Sequence, residues 1–203
     1  MYRQSYFCIC DGQLDEMYLK HIALLIKKHQ ERVVTFNTTQ GSAEGLKKNY
    51  TEYDNAALFD YDFKDMEFQR KINICAQFQR KNRKSKGKNV YHAYSNVNFD
   101  LWLILHKEDF YRPVTSNDAY AADVRRIYKL GSEADIKEKA VIERILGKIS
   151  LDDVKDAIRR AEQIRARKLE SDCFMVGSVA CYGNPDFSLH EFLKIVLKDC
   201  GEL

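Results

Sequence analysis

Three aspartates stand where an apolar run gives way to a polar turn. Asp11 follows Tyr6-Phe7-Cys8-Ile9-Cys10, and Asp60 and Asp62 follow Ala56-Ala57-Leu58-Phe59. Residues two apart in an extended segment share a side, so Asp60 and Asp62 are expected to leave the chain together. If the two runs are neighbouring strands of a parallel sheet, they lie ~5 Å apart and their carboxyl ends share one edge. Open α/β sheets bind ligands at that edge. Oxygen donors without His or Cys suit Mg²⁺ or Mn²⁺ rather than zinc. A divalent cation would also remove the repulsion among Asp11, Asp60 and Asp62. Spacing alone leaves a second reading open: Asp favours turns and helix starts, so Asp-x-Asp also serves to close a loop.

Further candidates surround this set. Glu16 falls on the first helical turn behind Asp11, where it could bind a second metal, orient a water, or sit in solvent near the helix dipole. Arg80, Lys81, Arg83, Lys84, Lys86 and Lys88 place six positive charges in nine residues with no acid. Such a run tracks phosphates and releases counterions, and it equally suits a solvated helix C-terminus. Asp100 lies in an apolar stretch, where a lone buried carboxylate is costly, so it must be paired or line the site. Trp102, two residues on, faces another way and reads as core. His106 closes the same stretch as a general acid, a phosphate contact or, the leading reading, a core histidine. Ser95 and Asn96 follow an apparent fourth strand, at the edge of the acids or as caps of the next helix.

The elements that must position these residues alternate. Strands are expected at 6–10, 32–36, 56–59 and 89–94, with helical spacing in Leu14, Tyr18, Ile22, Leu25 and Ile26 and again over 66–78. A short helix from Ser42 to Leu46 lies between the second and third strands. This alternation predicts an α/β fold with a central, mainly parallel sheet flanked by helices. From Phe99 the pattern turns helical: a buried helix over 99–105, then segments near 117–129, 135–146 and 150–169, and a last helix over 189–197. Ser150 with Asp153 three residues later reads as a cap for the helix starting there. No repeat or linker divides the 203 residues, so a single domain is expected.

Composition narrows the classes. With 12 Tyr, 11 Phe and 1 Trp the chain has ample apolar surface to bury, which argues against disorder. Net charge is only +3, from 33 basic and 30 acidic residues, so a nucleic-acid argument must rest on local charge. No stretch has the length of a membrane helix, and five apolar residues before Asp11 are too few for a signal peptide. The six cysteines show no metal-site spacing, and buried thiols in a reducing cytoplasm are expected.

Cys10-Asp11-Gly12 with Glu16, and Phe59-Asp60-Tyr61-Asp62, resemble the acidic motifs of a Toprim domain, the fold of topoisomerase, primase and OLD-type nuclease families. More narrowly, the chain resembles the RloB family, small Toprim-like proteins associated with bacterial restriction and abortive-infection loci. The segment from Ala93 through Ser95-Asn96-Val97-Asn98-Phe99-Asp100-Leu101-Trp102 to His106 is similar to that family's Ser-Asn-Pro-x-Phe-Glu-Leu-Trp-Leu-Leu-His stretch. Asn184-Pro185, ahead of the terminal helix, is similar to its C-terminal Asn-Pro element. Asp11 and Asp100 stand where the motifs carry Glu, and Val97 where they carry Pro; each Glu-to-Asp change shortens the reach by one methylene.

The resemblance implies a Toprim-like core over about 5–106 and a helical part over about 107–203. It implies Mg²⁺- or Mn²⁺-dependent cleavage of DNA or RNA in phage defence, with a companion ATPase. Asp11, Asp60 and Asp62 would hold the metal, with Glu16, Asp100 and His106 as further catalytic candidates. A topoisomerase would need a tyrosine nucleophile in a separate domain, for which this chain has no room, so hydrolysis is preferred. The other reading is a non-catalytic nucleic-acid-binding or regulatory subunit with a degenerate site, favoured by Asp11 and Asp100.

Overall fold

The computed structural model describes residues 3–29, 32–47 and 53–203, apart from the side chains of Lys47, Arg83, Ser85 and Lys86. Four strands, β1 (Arg3–Cys10), β2 (Val33–Gln40), β3 (Asp54–Asp60) and β4 (Val90–Asn96), are parallel, and the sheet runs β2-β1-β3-β4-β7. The two-residue β7 (Asp186–Phe187) closes the far edge antiparallel to β4. Helix α1 (Gln13–His29) joins β1 to β2, and α2 (Asp65–Lys86) joins β3 to β4.

From the central pair β1 and β3, one connection steps outward to β2 and the other steps the opposite way to β4. Right-handed crossovers then put α1 and α2 on opposite faces of the sheet. Phe7, Ile9, Ala57 and Phe59 pack with Phe68, Ile72 and Cys75 of α2, while Tyr6, Cys8, Cys10, Ala56 and Leu58 pack on the side of α1. Both faces of β1 and β3 are therefore covered, which is why their apolar runs are continuous rather than alternating. The divergence of the two connections opens a crevice at the carboxyl ends of β1 and β3.

The second half layers helices on the α1 side. These are α3 (Asp100–Leu105), α4 (Ala121–Tyr128), α5 (Lys139–Leu146), α6 (Leu151–Ala166) and α7 (Leu189–Asp199). Every residue of α3 is buried, as its all-round apolarity requires. α6 opens on a capping box: Ser150 Oγ accepts the Asp153 N–H and the Asp153 carboxylate accepts the Ser150 N–H. The stretch 42–46 expected as a short helix is a 3₁₀ turn, Ala43–Lys47.

Two features exceed the sequence reading. α2 continues past its apolar stripe to Lys86, carried by helix-favouring Lys, Arg and Gln, and ends at Gly87 with φ 63°. A hairpin, β5 (Cys173–Val176) with β6 (Val179–Tyr182), turns at Gly177 and buries Val176 and Cys181 near α2. No described helix is long and apolar enough to cross a membrane.

Candidate active site at the β1–β3 edge

β1 and β3 bring the aspartates together. Cys10 lies beside Leu58 in the parallel register, so Asp11 emerges next to Phe59 and Asp60. The Asp11 N–H bonds the Leu58 carbonyl at 3.1 Å, which carries the β1–β3 pairing one residue beyond the strand. Asp60 ends β3. Asp62 does not leave as the next residue of an extended strand, contrary to the two-residue spacing argument. It adopts φ 52°, and Phe63 follows at φ 56°. Asp tolerates this left-handed region; Phe does so at a cost of roughly 1–2 kcal/mol. The turn is held to β4 by three backbone bonds: Tyr61 N–H to Ser95 and Val97 carbonyls, and Asp62 N–H to Val97.

The resulting cleft has a volume of ≈ 540 Å³. Its floor carries Asp11, Asp60 and Asp62, with Asp15 from α1 and Asp100 from α3. Its opposite wall is the helical segment 117–142, bearing Asp118, Arg125, Asp135 and Lys137. Seven carboxylates thus line the cleft against two cations, giving a locally negative field that attracts cations despite the protein's small positive net charge.

Asp15 is the residue that the sequence reading missed. It is 6 % exposed, and its carboxylate accepts the Gly12 N–H at 3.0 Å. Burial raises its pKa to about 7, with Asp11 and Asp100 adding to the rise and Gly12 and Lys71 opposing it. Asp60 is raised well above the usual carboxylate range by burial and by Asp15, Asp62, Asp100 and Asp11 together. Asp100, 7 % exposed, is raised to about 6 by burial, against the pull of Lys137 and Arg125. Asp11 is raised by burial, although Lys71 Nζ donates to its Oδ2 at 2.5 Å and holds it down. Lys71 is buried on α2, four residues after Glu67, to which it also pairs at 3.4 Å.

The other predicted residues separate. Glu16, one residue from Asp15 and so turned ~100° around α1, points away from the cleft. It accepts Lys20 Nζ at 2.5 Å, Thr38 Oγ1 at 2.9 Å and Gln40 Nε2 at 3.1 Å, tying α1 to β2, and these bonds lower its pKa. His106 is in the core. Its Nδ1–H can only donate to the Trp102 carbonyl (2.7 Å), leaving Nε2 to accept the Tyr18 hydroxyl (3.0 Å); burial lowers its pKa to about 3, so it is neutral. Ser95 and Asn96 are buried in β4 against β7, and Asn96 Nδ2 donates to the Tyr182 carbonyl.

Arg80, Lys81 and Lys84 are exposed and Lys88 is half-buried; the side chains of Arg83 and Lys86 lie outside the described residues. Lys71 touches Asp11, and the run begins nine residues later on the same helix. At 1.5 Å per residue it lies roughly 14–22 Å further along α2, toward the opposite end of the sheet.

The donor set fits a hard divalent cation: it is all oxygen, it opens to the cleft, and with Asp15 and Asp100 buried behind it carries more negative charge than its neighbours neutralise. Among the described residues no three His, Cys, Asp or Glu side chains are drawn into a finished metal cage.

The family model for RloB-like proteins matches residues 6–190, which takes in most of β1, all of β3, the acids and the helical half up to the start of α7. The chain belongs to the RloB-like protein family. Its match ends at the second residue of α7, so the acid-bearing strands and the helical wall fall within one family match. Searches of curated proteins and of solved structures found no match.

Proposed function

We propose that this RloB-like protein is a Toprim-type, metal-dependent nuclease that hydrolyses phosphodiester bonds in DNA or RNA. The carrying observation is Asp60, half-buried at the switch point of the sheet and surrounded by Asp11, Asp15, Asp62 and Asp100. A cleft so acidic repels a phosphodiester unless cations intervene, which is the requirement of metal-dependent phosphoryl chemistry.

Asp11, Asp60 and Asp62 would hold Mg²⁺ or Mn²⁺. Bound there, the cation supplies a lowered water pKa and neutralises charge that builds on the phosphate. Lys71 fixes the direction of Asp11 and favours its ionised form. Asp15 takes the proton released by the attacking water on its Oδ1, because Oδ2 is occupied by Gly12 N–H and the group titrates near neutrality. The family resemblance adds a role in phage defence and a companion ATPase that gates cleavage in the cytoplasm.

A regulatory subunit with a degenerate site is the second reading, favoured by Asp rather than Glu at positions 11 and 100. The test is to incubate the chain with labelled single- and double-stranded DNA and RNA, in Mg²⁺ or Mn²⁺, alone and with any ATPase that its own locus encodes. Cleavage that disappears in Asp60→Ala is expected. Intact substrate in every arm would leave the subunit reading standing.

A further inference from the structure

The wall facing the acids holds two cations that pair with none of them. Arg125, on α4, donates from Nε to the Ala134 carbonyl at 2.9 Å, which anchors the turn after the helix. Its terminal nitrogens make no other hydrogen bond or ion pair among the described residues. Lys137 is exposed; its backbone N–H bonds Asp135 Oδ1, and its ammonium likewise has no partner there. Both nonetheless act on Asp100 across the cleft. Asp100 in turn, nine-tenths buried, lines this space, and its carboxylate accepts no hydrogen bond among the described residues. The 117–142 wall also carries Asp118 and Asp135, but its two cations stand opposite five carboxylates, which leaves a gap suited to an anionic group held between those acids' cation and Arg125.

We propose that Arg125 and Lys137 grip the phosphates of one unpaired polynucleotide strand, and that the cleft excludes intact duplex. This rests on reading the cleft as a nucleic-acid site, and it adds the form of the substrate and two binding residues. At ≈ 540 Å³ the space is of the size that encloses a small ligand such as one nucleotide. Half-buried Leu14, with the edges of Phe99 and Ile136, gives an unstacked base a small apolar surface. Asp15 and Asp100 are only 6 % and 7 % exposed within the cleft, so a strand must part from its complement to bring a phosphate to them.

The test measures binding of short fluorescein-labelled single-stranded DNA, single-stranded RNA and blunt duplex, with Ca²⁺ in place of Mg²⁺ and over a series of KCl concentrations. Arg125→Ala and Lys137→Ala should each weaken strand binding about tenfold, as loss of a charge-assisted contact does. Each should also flatten the salt dependence by about one phosphate contact. Because Arg125 also holds the turn, Lys137→Ala, at an exposed position, carries the proposal if the first variant melts early. Tighter binding of strand than of duplex supports it for either sugar, and the DNA-to-RNA ratio identifies which. Unchanged affinity and salt slope in Lys137→Ala, or duplex bound as tightly as strand, would overturn it. Strand binding that depends on these cations without cleavage upholds this proposal and removes hydrolysis; cleavage indifferent to both removes this proposal alone.

Discussion

Replacing Asp15 by Asn tests the electrostatics of the cleft without disturbing its shape. The amide oxygen keeps the bond from Gly12 N–H, and only the charge is lost. The Asp15 carboxyl goes from 3.8 in the unfolded chain to about 7 in the folded protein. The folded state therefore holds a proton that the unfolded state releases, and stability falls as pH rises through that window. The shift corresponds to on the order of 4 kcal/mol. For a chain of this size ~1 kcal/mol moves Tm by about 2–4 °C. Melting curves from pH 4.5 to 8 with a chelator present should show Asp15→Asn gaining about 10 °C over the unchanged protein at the alkaline end, and little at the acid end. A divalent cation should narrow the gap, because both proteins keep Asp11, Asp60 and Asp62 to bind it and its charge relieves the repulsion on the Asp15 carboxylate in the unchanged protein. A difference between the two proteins that stays constant with pH would refute the reasoning.

Two other perturbations test the positions of distant elements. Neutralising Arg80, Lys81 and Lys84 should weaken binding and flatten its salt dependence for long strands only; in a gel-shift series, oligomers too short to span the 14–22 Å from the acids should bind unchanged. Ser150→Ala removes the capping box of α6 and should cost about 1 kcal/mol, read as a 2–4 °C fall in Tm by circular dichroism; no change would mean that the cap contributes nothing.

The parts legible in the sequence were those with a strong local cause. Continuous apolar runs announced β1 and β3, and the turn residues after them located Asp11 and Asp60. Ser150 and Asp153 announced α6. Glu16 and Asp15 both suit a first helical turn, and the signal that separates them was present: Asp15 falls on the stripe of Tyr18, Ile22 and Ile26, so an acid was being buried. Asp62 reaches the cleft through a left-handed turn held by β4, and tertiary bonds of that kind leave no local pattern. Arg125 and Lys137 are twelve residues apart, and the turn between α4 and α5 brings them to one wall, which no spacing rule foretells. The short β5, β6 and β7 carry too few residues for an alternation to register.

Calorimetric titration of Mn²⁺ near pH 6.5, in two buffers of different ionisation enthalpy, addresses the acid cluster most directly. Carboxyls held partly protonated by burial and mutual repulsion must release protons when a cation displaces them. The account predicts saturable binding accompanied by proton release, both lost when Asp60→Asn is combined with Asp62→Asn. Absence of saturable binding in the unchanged protein, or the same isotherm in the double variant, would contradict it.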